Sequence, residues 1–91
     1  MVIYDFRWNE WNLGKIAKHG VTVEDAEHAV RRATRPYPQG IDGGKVLVRG
    51  QAKSGEYLQV IYVPQENHEV FVIHARSLTD KEKTRLRRRR R

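Results

Sequence analysis

From Lys45 to Ala75 the apolar residues fall into three short runs separated by polar gaps. In Lys45–Gln51, Val46 and Val48 share one face of an extended chain, and Leu47 and Arg49 share the other. Tyr57–Val63 is the most strand-like run in the sequence, and Val70–Ala75 follows it. The gap Ala52–Glu56 contains Ser54-Gly55, and the gap Pro64–Glu69 contains proline, asparagine and charges. Short gaps of that composition turn the chain back on itself, so the three runs predict an antiparallel meander. Thr79-Asp80-Lys81-Glu82 comes next. A threonine with a glutamate three positions on is a capping box and predicts a helix start.

The upstream half has a different period. Val2–Phe6 alternates weakly, with Ile3, Asp5 and Arg7 on one side and Tyr4, Phe6 and Trp8 on the other, as in a short strand at a sheet edge. Asn9 suits the N-cap of a following helix. Leu13, Ile16, Ala17 and Gly20 have helical spacing, with Trp11 flanking that stripe. Gly14 weakens this helix by roughly 1 kcal/mol relative to alanine. Gly20 is a natural stop, with Lys18 and His19 in the last turn, where cations suit the helix dipole. Thr22 caps a second helix with the stripe Val23, Ala26, Ala29, Val30 and Ala33, and Glu24, Asp25 and Glu27 lie near its positive end. Pro36 ends any helix before it. Pro36 to Gly44 is a loop rich in proline and glycine, with or without a short strand pairing inside it.

These elements predict an α+β fold, with helices packed on a small twisted antiparallel sheet and a C-terminal helix after it. Leu13, Ile16, Val23, Ala26 and Val30 would cover one face of the sheet. The other face would stay open, with the third helix either covering part of it or reaching outward.

Ninety-one residues make one domain, 1–86, followed by a basic tail, 87–91. No apolar run approaches the roughly 20 residues that span a bilayer. The polar, aromatic start does not resemble a secretory leader. The absence of cysteine excludes disulfides and thiolate metal sites, and the expected location is the cytoplasm. The net charge of +7 is unevenly spread: −2 over residues 1–30, +3 over 31–78 and +6 over 79–91. Such a block attracts phosphate by steering and counterion release. Arg87–Arg91 read equally as a solvated, frayed end.

The motifs of common chemistries are missing. His19, His28, His68 and His74 lack the spacing of a zinc site, Ser54 and Ser77 lie outside any nucleophile elbow, and Gly40, Gly43 and Gly44 form no phosphate loop. No metal and no cofactor is expected. Basic and imidazole chemistry remains. His74 and Arg76 lie two apart on a strand and point the same way. Arg49 is one hairpin away, and Lys53 sits in the connecting turn. Arginine and lysine can neutralise a pentavalent phosphorane, and a histidine can move the proton. Each residue also has an ordinary reading: Arg76 pairs with a carboxylate such as Glu82, His74 is a satisfied half-buried histidine, and Arg49 is a solvated strand residue. Lys18-His19 is first a helix-capping pair. Trp8, Trp11 and Tyr57 read as core before they read as an exposed anchor patch.

Trp8-Asn9, Asn12, Lys18-His19-Gly20-Val21 and Glu24-Asp25-Ala26-Glu27 resemble the amino-terminal half of the BrnT-type toxins. Leu47-Val48-Arg49-Gly50, the Gly55 turn, Tyr57 to Tyr62, and Ile73-His74-Ala75-Arg76 with Glu82 resemble their second half. The resemblance covers nearly the whole chain apart from the loop and the tail. Asn9 stands where an acidic residue is usual and His74 where a small hydroxyl residue is common, and the oligo-arginine end is atypical. The resemblance implies a RelE-like fold and a small endoribonuclease toxin of a type II toxin–antitoxin pair. It further implies neutralisation by a DNA-binding antitoxin encoded nearby, in a complex that represses its own operon. It carries Lys18, His19, Arg49 and Arg76 over as the matching polar positions, the expected catalytic set. Lys53, His74, Lys83 and Arg87 are the expected nucleic-acid contacts. RNA and the antitoxin are the expected partners, with no membrane, in a homodimer or a toxin–antitoxin hetero-oligomer. The alternative is a non-catalytic RNA- or operon-binding basic module.

Overall fold

A computed structural model of the chain describes residue 3 and residues 5–89. Strand β1 (Asp5–Arg7) leads into helices α1 (Glu10–Ala17) and α2 (Val23–Arg31). Strands β2 (Gln39–Ile41), β3 (Lys45–Gln51), β4 (Tyr57–Pro64) and β5 (Glu69–Ser77) follow, and α3 (Asp80–Arg89) ends the described chain. The five strands form one mixed sheet in the order β1-β5-β4-β3-β2. β3, β4 and β5 are the antiparallel meander that the apolar runs predict. The Pro/Gly loop does hold a short strand: β2 pairs antiparallel with β3, Gln39 opposite Leu47. β1 lies at the opposite edge, parallel to the start of β5, with Phe6 beside Val70. Val2 and Tyr4, part of the expected first strand, lie outside the described residues, as do Arg90 and Arg91 of the expected tail.

Local chemistry accounts for the helix ends. The Asn9 side chain accepts from the Asn12 N–H, and Asn12 Oδ1 accepts from the Asn9 N–H at 2.7 Å, a reciprocal cap on α1. α1 closes in a Schellman pattern: Gly20 N–H donates to the Ala17 carbonyl and Val21 N–H to that of Ile16. Gly20 takes φ +70° there, which a residue without Cβ adopts without strain. Thr22 caps α2 by accepting from the Asp25 N–H. Thr79 and Glu82 cap α3 reciprocally, as their spacing predicts.

The two sheet faces are built differently. Val48, Val60, Tyr62, Val70 and Val72 are fully buried under Ile16, Ala26, Ala29 and Val30 of the first two helices. Burying each valine fully is worth roughly 1.5–3 kcal/mol. The alanines let α2 approach β3 and β4, the strands it contacts most. Tyr62 Oη is buried with no hydrogen-bond partner among the described residues. A smaller cluster sits elsewhere: Tyr37, Leu78 and Leu86, with Leu47 and Tyr57 packed against it. Leu47 and Tyr57 alternate with the core residues of β3 and β4, so this cluster holds α3 against the other face. The third helix therefore covers part of that face rather than reaching outward.

α1 departs from the expected stripe. Leu13 is 40 % exposed, and Asn12 is buried instead, donating from Nδ2 to the Arg7 carbonyl at 2.9 Å. The reason is position. Among the described residues β1 pairs with Glu69–Phe71, and α1, whose main sheet contact is β5, lies alongside the edge beyond it. A helix at a sheet edge buries a narrower stripe than one laid across a face, and Ile16 supplies most of it. α3 departs too. It continues to Arg89, so Arg87, expected in the tail, is helical.

Candidate functional site

β3, β4 and β5 set the row of polar residues on the α3 side of the sheet. Register places Arg49 opposite Gln59 and Gln59 opposite Arg76. One step along, Ile61 lies opposite His74. The pairing then slips between Ile61 and Tyr62, so that Tyr62 faces Val72 and Ile73 is the extra residue. Without that bulge, His74 and Val72 would share a face. With it, His74 shares the polar face while Val72 stays in the core.

Glu82 joins the row from the first turn of α3. Its carboxylate accepts from Arg76 Nη1 at 2.8 Å and Nη2 at 2.9 Å, a bidentate pair, and from Arg49 Nη2 at 3.2 Å. Arg76 Nη1 also donates to the Ser77 carbonyl at 3.0 Å. The Arg76 guanidinium and the capping N–H of Thr79 hold the Glu82 carboxyl far below the usual carboxylate range. The same bond raises the Arg76 pKa. One carboxylate against two guanidinia leaves a net positive charge. Arg49, Arg76 and Glu82 side chains keep 22 %, 28 % and 16 % of their surface exposed, so α3 covers the pair without sealing it. A cavity of about 50 Å³ lined by Tyr37, Arg49, Glu82, Arg85 and Leu86 remains beneath the helix.

Gln59 links the arginines to the imidazoles. Its Oε1 accepts from Arg49 Nε at 3.0 Å. A guanidinium only donates, so the carbonyl end of the amide must face Arg49 and the NH2 end must face His74. Gln59 Nε2 lies 3.4 Å from His74 Nε2. A hydrogen bond across that gap has His74 Nε2 as the acceptor of a neutral ring with its proton on Nδ1. The lowered pKa of His74 agrees: burial is its first cause, and the charges of Arg76 and His19 add to it. The His19 ring, exposed after the end of α1, stands edge-on to His74 with centroids 5.8 Å apart.

Four expected residues thus converge: His19, His74, Arg49 and Arg76. Lys18 is their exposed neighbour at the end of α1. Lys53 is not part of the cluster. It pairs with Glu24 of α2, which raises its pKa, and Ser54 N–H beside it bonds Asp25. The turn carrying Lys53 leans toward the acidic start of α2, away from the arginine pair. Lys83 is half-buried and Arg87 exposed on α3. No group of histidines and carboxylates among the described residues is arranged to hold a metal.

No family model, no curated protein and no solved structure matches this chain. The site must therefore be read from its own chemistry. Among the described residues no helix is long and apolar enough to cross a membrane.

Two participants escaped the sequence reading in their roles. Gln59 is a polar residue inside an apolar strand, and counting back across the Ala52–Glu56 turn pairs it with Arg49; that count was the available signal. Glu82 was visible as a cap and as an ordinary partner for Arg76, but not as the bridge between two arginines. The tryptophans also divide. Trp8 is half-buried and donates to Glu27 Oε2 at 2.8 Å, whereas Trp11 is 52 % exposed and not core.

Proposed function

We propose that the chain is a metal-independent endoribonuclease of the BrnT toxin type, with a RelE-like arrangement of its sheet and helices. In this reading it acts on RNA, is neutralised by a DNA-binding antitoxin encoded nearby, and works in the cytoplasm. The observation that carries the reading is the convergence of Arg49, Arg76, His74 and His19 from three elements on one partly open sheet face. The α+β architecture, with a meander followed by a helix, is compatible with it.

The chemistry follows from the side chains. The ribose 2′-hydroxyl gives up its proton and its oxygen bonds the adjacent phosphorus. The bond from phosphorus to the 5′-oxygen breaks, and that oxygen takes a proton, leaving a 2′,3′-cyclic phosphate and a 5′-hydroxyl. Arg76 and Arg49 neutralise the charge that builds on the non-bridging oxygens. Each guanidinium has five N–H donors, and Glu82 and Gln59 do not use them all. The exposed His19 carries the proton, Lys18 positions phosphate, and neutral His74 offers its Nδ1–H. Gln59 keeps His74 in that tautomer.

Expression of the wild type in a bacterium lacking the antitoxin should arrest growth and fragment messenger RNA. The Arg76→Ala variant should do neither. Equal growth with intact RNA in both strains would overturn the reading.

A second reading, a non-catalytic RNA- or operon-binding module, is favoured by one observation. Glu82 already occupies both guanidinia, so less positive charge is available to a transition state. Purified protein that binds RNA at low salt and never shortens it would decide for this reading.

A further inference from the structure

The cluster continues along α1 and β5 into a region that the proposed cleavage does not use. Trp11, Lys15 and His19 recur every four residues, so they lie on one side of α1 and its last turn. β5 carries Phe71, His74 and Arg76 on its α3-side face. Two ring contacts tie these rows together in the same order. Trp11 stacks on Phe71 with centroids 5.8 Å apart and planes 14° from parallel, and His19 meets His74. The rows therefore run side by side, aromatic at one end and cationic at the other. Opposite Phe71 and Arg76 on β4, Val63 and Gln59 are four strand steps apart, so Phe71 and Arg76 are about 13 Å apart, the reach of a short run of nucleotides.

Trp11 is the most exposed large apolar side chain among the described residues. An exposed indole in a helix that buries only Asn12 and Ile16 adds little to folding. Its ring is instead braced by Phe71, and Lys15 Nζ lies 5.1 Å from its centroid. A flat, braced, half-exposed π surface next to exposed positive charge is what an unpaired base and its phosphate require.

We propose that Trp11, braced by Phe71, is a stacking platform for an unpaired nucleobase of single-stranded RNA whose backbone runs past His19 and His74 toward Arg76. The proposal rests on the RNA reading above and adds to it a base-stacking subsite beside the cleavage cluster. Duplex bases are already stacked and offer no free face. Lys15 leaves the indole when the base arrives and moves to the neighbouring phosphate.

The test uses the whole chain and two labelled probes of equal length. One is a short single-stranded oligouridylate, 2′-O-methylated so that no hydroxyl can attack phosphorus. The other is its abasic counterpart, with the same phosphates and no bases. Affinities come from fluorescence anisotropy. Trp11→Ala should weaken binding of the base-bearing probe about tenfold, leave the abasic probe unchanged and leave the salt dependence unchanged. Trp11→Phe should restore most of the affinity. Wild-type tryptophan emission should be quenched by the base-bearing probe, and Trp11→Phe should lose that quenching. Equal weakening of both probes by Trp11→Ala, or of neither, overturns the platform while leaving the nuclease reading intact. Wild-type protein that binds neither probe at low salt overturns both. Selective loss in Trp11→Ala, with unmodified RNA left uncut by the wild type, upholds the platform and removes only the nuclease.

Discussion

β3, β4 and β5 face two environments. On the α2 side, Val48, Val60 and Tyr62 sit in a closed apolar core under two helices. On the α3 side, Arg49 and Gln59 alternate with Val48 and Val60, Arg76 alternates with buried Ala75, and all three are covered by a helix with one buried leucine, Leu86. The first face is held by shape and area, the second by a small apolar cluster and by directed charge-assisted hydrogen bonds around one carboxylate. A core face tolerates no water, whereas a face held by charges can exchange its internal carboxylate for a ligand's phosphate. The α2 side therefore specifies the fold and the α3 side is available for function.

Four substitutions separate these roles, in descending order of consequence. On the proposed nuclease reading, Arg76→Ala should lower the RNA cleavage rate by about 10²–10³-fold, the usual loss when one donor to a developing oxyanion is removed. Its stability loss in urea should be about 1–2 kcal/mol, similar to that of Glu82→Gln below, because both break the same pair. Ile16→Ala on the core side should cost about 3 kcal/mol in urea unfolding, with cleavage unchanged in the folded fraction. A rate loss there beyond the unfolded fraction would mean that the two faces are not separable. Glu82→Gln should cost about 1–2 kcal/mol, because the amide cannot bridge two guanidinia as a carboxylate does. It should also change the pH profile. Glu82 titrates lower in the folded chain than its ordinary value of 4.5, so the unfolded chain binds its proton first. The stability it contributes is present above about 4.5 and is lost as pH falls through the folded value. The variant should lack that part of the acid loss in denaturation at stepped pH. Tyr62→Phe is the smallest. It removes a buried hydroxyl that has no partner among the described residues, so the thermal midpoint should hold or rise by no more than about 1 kcal/mol equivalent.

Much of the sheet was legible because its signals are local. Period-two alternation places Val46, Val48, Leu47 and Arg49 on their observed faces, and Ser54-Gly55 marks a turn where Gly55 takes φ +96°. The helix ends were legible for the same reason, since Asn9, Gly20, Thr22 and Thr79 act on backbone groups a few residues away. What depends on distant pairing was not. Nothing near Phe6 announces a parallel partner in β5, and Gln39–Ile41 becomes a strand only because β3 offers it an edge. The site divides along the same line. That His74 and Arg76 share a face follows from sequence distance, although the bulge at Ile73 sets it in register with Ile61. That Lys53 turns to Glu24, and that Glu82 reaches Arg49, are decided by how helices dock on the sheet.

α3 has a consequence that reaches past its role as a cover. Within it Lys81 and Arg85, and Lys83 and Arg87, stand one turn apart with like charge, so the helix repels itself along its length. Added electrolyte relieves that repulsion and steadies the helix, while the same electrolyte loosens the grip of guanidinium on phosphate. The coil-to-helix balance of this segment and the proposed hold on nucleic acid should therefore move in opposite directions as ionic strength rises.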